Sequence, residues 1–186
     1  MQWFQGDRIK SVSCFGSGWH TDKRFKQEDT TVTMLRMASG KLIKLRLDVI
    51  SKRPHNMSYY TLQGTKGCYE APRGFGDDHK IWIEQAEGEQ PKWRPLSDFQ
   101  AYMPERFQTI TDEQKKAGHW GSDYFIAQDF VRAAKGELKS PIDVYDACEW
   151  TAVALLSELS VMNGGREMEM PDFRKQSTFG EQIIKL

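Results

Sequence analysis

Residues 30–50 read TTVTMLRMASGKLIKLRLDVI, and this stretch carries the clearest structural signal in the chain. Two β-prone runs, 30–37 and 41–50, flank a short glycine-containing loop, 38–40, of the kind that closes a hairpin. Apolar and polar residues alternate along the second run, which predicts one buried and one polar face. Its apolar members are Ile43, Leu45, Leu47 and Val49. The stretch therefore predicts two antiparallel strands of a sheet.

Further β-prone runs lie on both sides of this hairpin. They cover 9–15, 57–63, 68–71 and 79–85, and turn residues such as Gly64-Thr65-Lys66-Gly67 separate them. Short strands divided by turns are typical of an antiparallel meander. Pro95 and Pro104 bracket a short predicted helix at 97–103.

Helical periodicity replaces the β pattern after residue 122. A helix is predicted over 123–135, with Ser122 as its N-cap and Gly136 as its C-terminal stop. A longer helix is predicted over 143–162, and Asn163-Gly164-Gly165 ends it. The longer helix carries apolar residues on both faces, which predicts burial against the sheet and a second partner, or between two subunits.

Strands followed by helices indicate an α+β fold, an open and mostly antiparallel β-sheet with helices packed on one face. We expect a single domain over 1–170, with a C-terminal arm over 171–186.

Composition excludes several classes of function. Lys+Arg and Asp+Glu both number 26, so no net charge favours nucleic acid or an anionic membrane. The three cysteines, Cys14, Cys68 and Cys148, show no metal or redox spacing and are expected to be reduced thiols. Neither an apolar run of ~20 residues nor a signal-peptide h-region is present, so we expect a cytoplasmic protein.

Three segments of the second half carry a family resemblance. They are AGHWGSDYFIAQDFV at 117–131, PIDVYDACEWTAVALLSELSVMNGG at 141–165 and MPDFR at 170–174. Together with GDRIKSVSCFG at 6–16, the hairpin and RPHNMSYYTLQGTKGCYEA at 53–71, they resemble the C-terminal domain of the Gfo/Idh/MocA oxidoreductases.

The resemblance implies a partner domain. Proteins of that family join a Rossmann domain, which binds NAD or NADP, to an open-sheet domain that supplies substrate contacts and subunit interfaces. This sequence contains no Gly-x-Gly-x-x-Gly, and the family's catalytic lysine and histidine would precede residue 1. We therefore expect this chain to bind no cofactor alone and to be inactive without a Rossmann domain. A homo-oligomer through the sheet is also expected, and a stable monomer in sedimentation at micromolar concentration would contradict it.

The candidate substrate-binding residues with the clearest context are His119, Trp120 and Asp123. They lie just before a predicted helix, whose free N–H groups favour oxygen-rich ligands, and imidazole can exchange a proton near neutral pH. A histidine that only completes a turn is the structural alternative. NAD-dependent α-N-acetylgalactosaminidases of the same superfamily have a similar Gly-His-Gly-Gly-x-Asp segment. Trp120 replaces a glycine of that pattern and could stack on a sugar ring or narrow the pocket.

Two further pairs are candidates because they follow predicted strands, where loops gather into sites. Arg53, with His55 beside it, could anchor a carboxylate or a pair of hydroxyl groups, but the sequence favours a solvated loop over this role. Trp19 and His20 could do the same or lie at an interface. His79 has no second ligand at metal spacing, so no metal site is expected.

Three functions stay open on the sequence. The first is the substrate-binding and oligomerisation half of an NAD(P)-dependent oxidoreductase of sugars or cyclitols, as a fragment or split protein. The second is the C-terminal half of an NAD-dependent glycosidase. The third is a non-catalytic oligomeric binding module.

Overall fold

The computed structural model describes residues 6–52, 54, 59–87 and 90–175. The chain forms two compact units, unit 1 (Met1–Ser51 with Lys139–Leu186) and unit 2 (Lys52–Leu138). Each contains a four-stranded sheet in which the paired strands run antiparallel. The predicted α+β class with antiparallel sheet is confirmed, with the strands divided between two sheets. The expected extent of a single domain stays a prediction.

The described strands are β1 (Ile9–Gly16), β2 (Thr30–Met37), β3 (Leu42–Asp48), β4 (Thr61–Gly64), β5 (Gly67–Glu70), β6 (Lys80–Ile83), β7 (Arg94–Pro95) and β8 (Met168–Glu169). The described α-helices are α1 (Glu84–Glu87), α2 (Glu105–Gln108), α3 (Asp112–Lys115), α4 (Ser122–Ala134) and α5 (Val144–Met162). Two 3₁₀ turns, Leu96–Tyr102 and His119–Gly121, complete the elements.

The sheet of unit 1 has the order β3-β2-β1-β8, and α5 packs against β1. The predicted hairpin is present, because β2 pairs with β3 from Thr30↔Asp48 to Arg36↔Leu42. The buried core between sheet and helix consists of Ile9, Val12, Leu35, Met37, Val153 and Leu156. This apolar contact supplies the main stabilisation of unit 1.

The predicted buried face of β3 is wrong for most of its length. Leu45 and Leu47 are 44% and 62% exposed, and only Ile43 packs against the core, where it is half-buried. The reason is the position of β3 at the edge of the sheet, beyond the core that α5 builds over β1 and β2.

Polar contacts fix α5 on β1. The buried carboxylate of Glu149 accepts the Ile9 N–H at 3.0 Å and pairs with Arg8 at 2.5 Å. The fully buried Ser160 hydroxyl accepts the Cys14 N–H at 2.9 Å. Buried polar groups are costly unless they are satisfied, so these pairs select one position of the helix on the strand.

The predicted long helix begins one residue later than expected, at Val144, and Asp143 is its N-cap. Asp143 and Asp146 form a reciprocal capping box. Arg174 bonds to both carboxylates, at 2.8–2.9 Å, so the start of the predicted arm is attached to this helix end.

Unit 2 has strands of four residues or fewer and a smaller set of buried residues than unit 1. Its sheet has the order β4-β5-β6-β7, and the predicted strand over 79–85 ends at Ile83, where α1 begins. The predicted helix at 97–103 is the 3₁₀ turn Leu96–Tyr102. Residues 86–95, whose polar sequence predicts a loop, end in the short strand β7, which the sequence did not predict.

Aromatic and ionic contacts hold α4 in unit 2. The Phe125 ring meets Phe107 edge-on, with centroids 4.8 Å apart. Arg106 lies over the Phe125 ring and forms a double hydrogen bond with Asp129. In the part of the chain that the structure describes, no helix is long and apolar enough to cross a bilayer.

Candidate functional site

His119 occupies a strained backbone position immediately before α4. Its φ is +54°, and it is the one non-glycine residue with positive φ among those the structure describes. The left-handed conformation costs an L-residue with a Cβ about 1–2 kcal/mol. Such strain persists only where the surrounding structure imposes it, and it concentrates at functional sites.

Asp123 orients the His119 ring. Both carboxylate oxygens lie 2.9 Å from Nδ1. An ionised carboxylate can only accept hydrogen bonds, so Nδ1 carries a proton and donates it. In the neutral ring Nε2 is then the acceptor nitrogen. The pair is a histidine–aspartate dyad with Nε2 as its acceptor nitrogen.

Gly118 and Gly121, on either side of His119, allow close contacts within the protein. A Cβ at Gly118 would lie 2.3 Å from Asp123 Oδ2, so only glycine leaves room for the carboxylate below the ring. Gly121 has φ +92°, and a Cβ there would lie 3.0 Å from the Gln114 carbonyl oxygen. The glycines that the sequence suggests for close approach of a ligand thus make room for the dyad and for α3.

The predicted N-cap of α4 is wrong by one residue. Gly121 is the N-cap and makes no side-chain capping bond, whereas Ser122 is the first helical residue. The Ser122 hydroxyl instead donates to the His119 carbonyl at 3.0 Å and closes the turn. Asp123 lies in the first turn of α4, where the helix dipole stabilises its negative charge.

The dyad is open to solvent. The side chains of His119 and Asp123 are 58% and 47% exposed. More than half of the His119 side chain is therefore accessible to a ligand. The side chain of Trp120 lies outside the described part of the structure.

Of the two other candidate pairs, the structure describes Trp19 and His20. Trp19 and His20 belong to unit 1, in the loop between β1 and β2. His20 Nε2 lies 2.8 Å from the Ser17 carbonyl oxygen, and the backbone N–H of His20 donates to the Asp29 carboxylate. Both contacts stabilise the loop that carries His20. Arg53 and His55 lie outside the described residues.

Sequence reasoning missed one partner. It judged His79 only as a metal ligand, whereas the Tyr69 hydroxyl lies 2.6 Å from His79 Nδ1. Tyr69 lies on β5 and His79 directly precedes β6, and the pairing of Glu70 with Lys80 brings the two side chains together. Register between two short strands was the missing signal, and a single sequence does not specify it.

The residues that the structure describes do not fit a metal or a dinucleotide. They contain no group of three or more His, Cys, Asp or Glu that could hold a metal ion. Within the same residues the paired strands are antiparallel, so there is no parallel β-α-β unit with a glycine-rich turn for a pyrophosphate.

Comparison with known proteins gives a family match over most of the chain. The family described as "Glycosyl hydrolase 109, C-terminal domain" matches residues 15–179. A "Glycosyl hydrolase family 109 protein" of Stenotrophomonas maltophilia is 35% identical over 156 residues, 82% of this chain and 32% of that protein. An "Alpha-N-acetylgalactosaminidase" of Tannerella forsythia is 30% identical over 152 residues, 81% of this chain and 31% of that protein. The chain spans about a third of these relatives.

Solved structures share the fold at lower identity. Levoglucosan dehydrogenase in complex with NADH and levoglucosan matches with a TM-score of 0.66 and 18% identity, over 88% of this chain and 45% of that one. The WlbA dehydrogenase of Bordetella pertussis in complex with NADH and UDP-GlcNAcA matches with a TM-score of 0.55 and 16% identity, over 91% and 42%. The resemblance to oxidoreductase C-terminal domains is confirmed as a likeness of fold.

Proposed function

We propose, because this chain belongs to the C-terminal domain family of glycosyl hydrolase 109, that it forms the substrate-facing part of an NAD-dependent α-N-acetylgalactosaminidase. A Rossmann domain, in the same protein or in a second chain, supplies the cofactor. This is the second of the three functions considered from the sequence. The oxidoreductase hypothesis is supported by neighbours of 14–18% identity, whose likeness concerns the fold.

The observation that carries this proposal is the His119–Asp123 dyad. Its segment keeps the Gly-His, second glycine and aspartate of the pattern that the resemblance identifies in α-N-acetylgalactosaminidases. Asp123 holds the ring through Nδ1 at 2.9 Å, which leaves Nε2 as the acceptor nitrogen of a side chain that is 58% exposed. A histidine in this state can accept a proton from a sugar hydroxyl and return it to a leaving oxygen.

The two members of the dyad have different roles. His119 Nε2 contacts the sugar and exchanges the proton. Asp123 is a positioning residue, since it selects the Nδ1–H tautomer and stabilises the ring when it becomes charged. Gly118 leaves the space that this carboxylate needs.

Self-association through the sheet of unit 1 belongs to the same proposal. Phe15, Val32 and Met34 are exposed on one face of β1 and β2, at 64%, 36% and 37%. Phe15 lies opposite Val32 in the register, so these side chains share a face.

A chimera tests the function. This chain replaces the matched 152-residue segment of the Tannerella forsythia relative, and release of nitrophenol from p-nitrophenyl α-N-acetylgalactosaminide is measured with NAD⁺. We expect turnover, and we expect His119→Gln to lower kcat by about 100-fold or more, the usual contribution of a general acid–base group. Asp123→Asn should lower kcat less and change the pH profile, because it permits the wrong tautomer.

The matched control is Asp112→Asn, which removes an exposed carboxylate from α3 in the same unit and should leave kcat unchanged. Circular dichroism and NAD⁺ binding establish that each chimera is folded. A folded, NAD⁺-binding chimera that releases no nitrophenol contradicts the glycosidase. Full activity in His119→Gln contradicts the role of the dyad.

A further inference from the structure

A second concave site lies within unit 2, around His79. The cavity has a volume of about 340 Å³, at the lower end of the range usual for small-molecule sites. Asp78 and His79, just before β6, form one wall. The 3₁₀ turn and α2 form the other wall, through Leu96, Gln100 and Phe107 among others.

Tyr69 fixes the orientation of His79. The phenol oxygen lies 2.6 Å from Nδ1, and the two rings stack with centroids 5.8 Å apart and 22° between their planes. Burial raises the pKa of Tyr69, so the phenol stays protonated and can donate to Nδ1. When Nδ1 accepts this bond, the imidazole proton resides on Nε2, which makes that nitrogen a hydrogen-bond donor for a ligand.

The other lining groups complement this donor. Asp78 contributes carboxylate acceptors, and Gln100 contributes an amide that can donate and accept. Phe107 provides an aromatic surface and is itself held edge-on by Phe125 and covered by Arg106. A few polar groups beside an apolar surface are the usual composition of a site for a small polar molecule.

The charge of the lining selects against anions. Asp78 is acidic, and neither lysine nor arginine is among the residues that line the cavity in the described part of the chain. The nearby Asp77 is already engaged by Lys80 at 2.6 Å. A neutral ligand with several hydroxyl groups meets these conditions, and a carboxylate or phosphate does not.

We propose that this cavity is a carbohydrate subsite that binds a neutral pyranose unit, with His79 Nε2 donating to one hydroxyl and Asp78 accepting from another. Phe107 and Leu96 pack against the apolar face of the ring. The choice of a sugar rests on the proposed function, whereas the cavity and the Tyr69–His79 pair do not. The subsite would hold a unit of a glycan other than the one at His119.

Histidine NMR on the 186-residue chain tests this subsite. The sequence contains four histidines, so each imidazole Cε1–H signal can be assigned from one His→Gln variant. Methyl N-acetyl-α-D-galactosaminide is added as the neutral probe. We expect a saturable shift of the His79 signal, and an apparent Kd that Tyr69→Phe weakens about threefold to tenfold through loss of one hydrogen bond.

The controls separate the cavity from the dyad. Tyr102→Phe removes an exposed phenol of the same unit outside the cavity lining and should leave the Kd unchanged. Methyl glucuronide should shift His79 less than the neutral sugar does, and tighter binding of the glucuronide would overturn the assignment to a neutral unit.

The two proposals fail differently in this titration. If the His119 signal shifts and the His79 signal does not, the subsite is overturned and sugar binding at the dyad is supported. If the His79 signal shifts and the His119 signal does not, the subsite is supported and sugar binding at the dyad is contradicted. If neither signal shifts at tens of millimolar sugar, the subsite is overturned, and the chimera still tests the function.

Discussion

Unit 1 and unit 2 differ in how they are held together. Unit 1 contains eight of the eleven buried apolar residues that the structure describes, whereas unit 2 contains Ala71, Trp82 and Phe99. The strands β1, β2 and β3 have seven or eight residues each, and those of unit 2 have four or fewer. Both candidate sites, the dyad and the cavity, lie in unit 2.

This difference assigns stability and chemistry to different parts of the chain. In unit 1 a long helix covers a continuous sheet and is fixed by buried polar pairs such as Glu149 with Ile9. Unit 2 has a smaller core, and ion pairs and edge-to-face aromatic contacts such as Phe107–Phe125 stabilise it. Binding and catalytic residues often lie on segments of lower local stability that a rigid scaffold supports.

The largest effect is expected in the core of unit 1. Leu35→Ala should lower the free energy of unfolding by about 2 to 5 kcal/mol, because Leu35 is 1% exposed and its loss leaves a cavity. Urea denaturation followed by circular dichroism measures it. Leu47→Ala, at a leucine that is 62% exposed in the same hairpin, should change stability by less than about 0.5 kcal/mol. Equal effects of the two variants would show that unit 1 is not organised around this core.

A smaller effect is expected at the dyad of unit 2. A positive φ alone costs a residue with a Cβ about 1 to 2 kcal/mol. Gly121→Ala should lower the free energy of unfolding by more than this, because the new Cβ would also lie too close to the Gln114 carbonyl oxygen. Gly136→Ala is the matched control, since Gly136 has φ +76° and open space around it. Denaturation and the His119 imidazole signal should both change more in Gly121→Ala. Equal losses in the two variants would contradict the close approach to α3.

The smallest effect is expected from pH, and it compares the units directly. Hydrogen bonds from Arg174 lower the pKa of Asp143 in unit 1 to about 2, and those from Lys80 lower the pKa of Asp77 in unit 2 to about 2. Both folded-state pKa values lie below the usual 3.8, so the stabilisation is present above 3.8 and is lost as pH falls toward 2.

Asp143→Asn and Asp77→Asn should each flatten the decline of unfolding free energy over that pH window. Acid titration of the urea midpoint measures both variants. A decline as steep as that of the unsubstituted chain would contradict the assigned ion pair.

Much of the candidate site followed from local sequence. Gly118, His119 and Asp123 stand within six residues, so these residues are close together in any fold. The contact of His119 with Asp123, the strained φ of His119 and the space that Gly118 leaves for Asp123 could not be predicted, because they depend on how the turn folds onto α4. The Tyr69–His79 pair depends on the register between β5 and β6.

The sequence by itself determined the elements whose signals are local. The β2–β3 hairpin follows from a short loop between β-prone runs, and α5 follows from its apolar periodicity and the glycines after Met162. Only the tertiary structure decided that Leu45 and Leu47 face solvent, that the strands form two sheets, and that Tyr69 orients His79. The physical reason is the distance along the chain over which each effect acts. Turn geometry, helix capping and apolar periodicity depend on residues a few positions apart, whereas burial and strand register depend on residues far apart in the sequence.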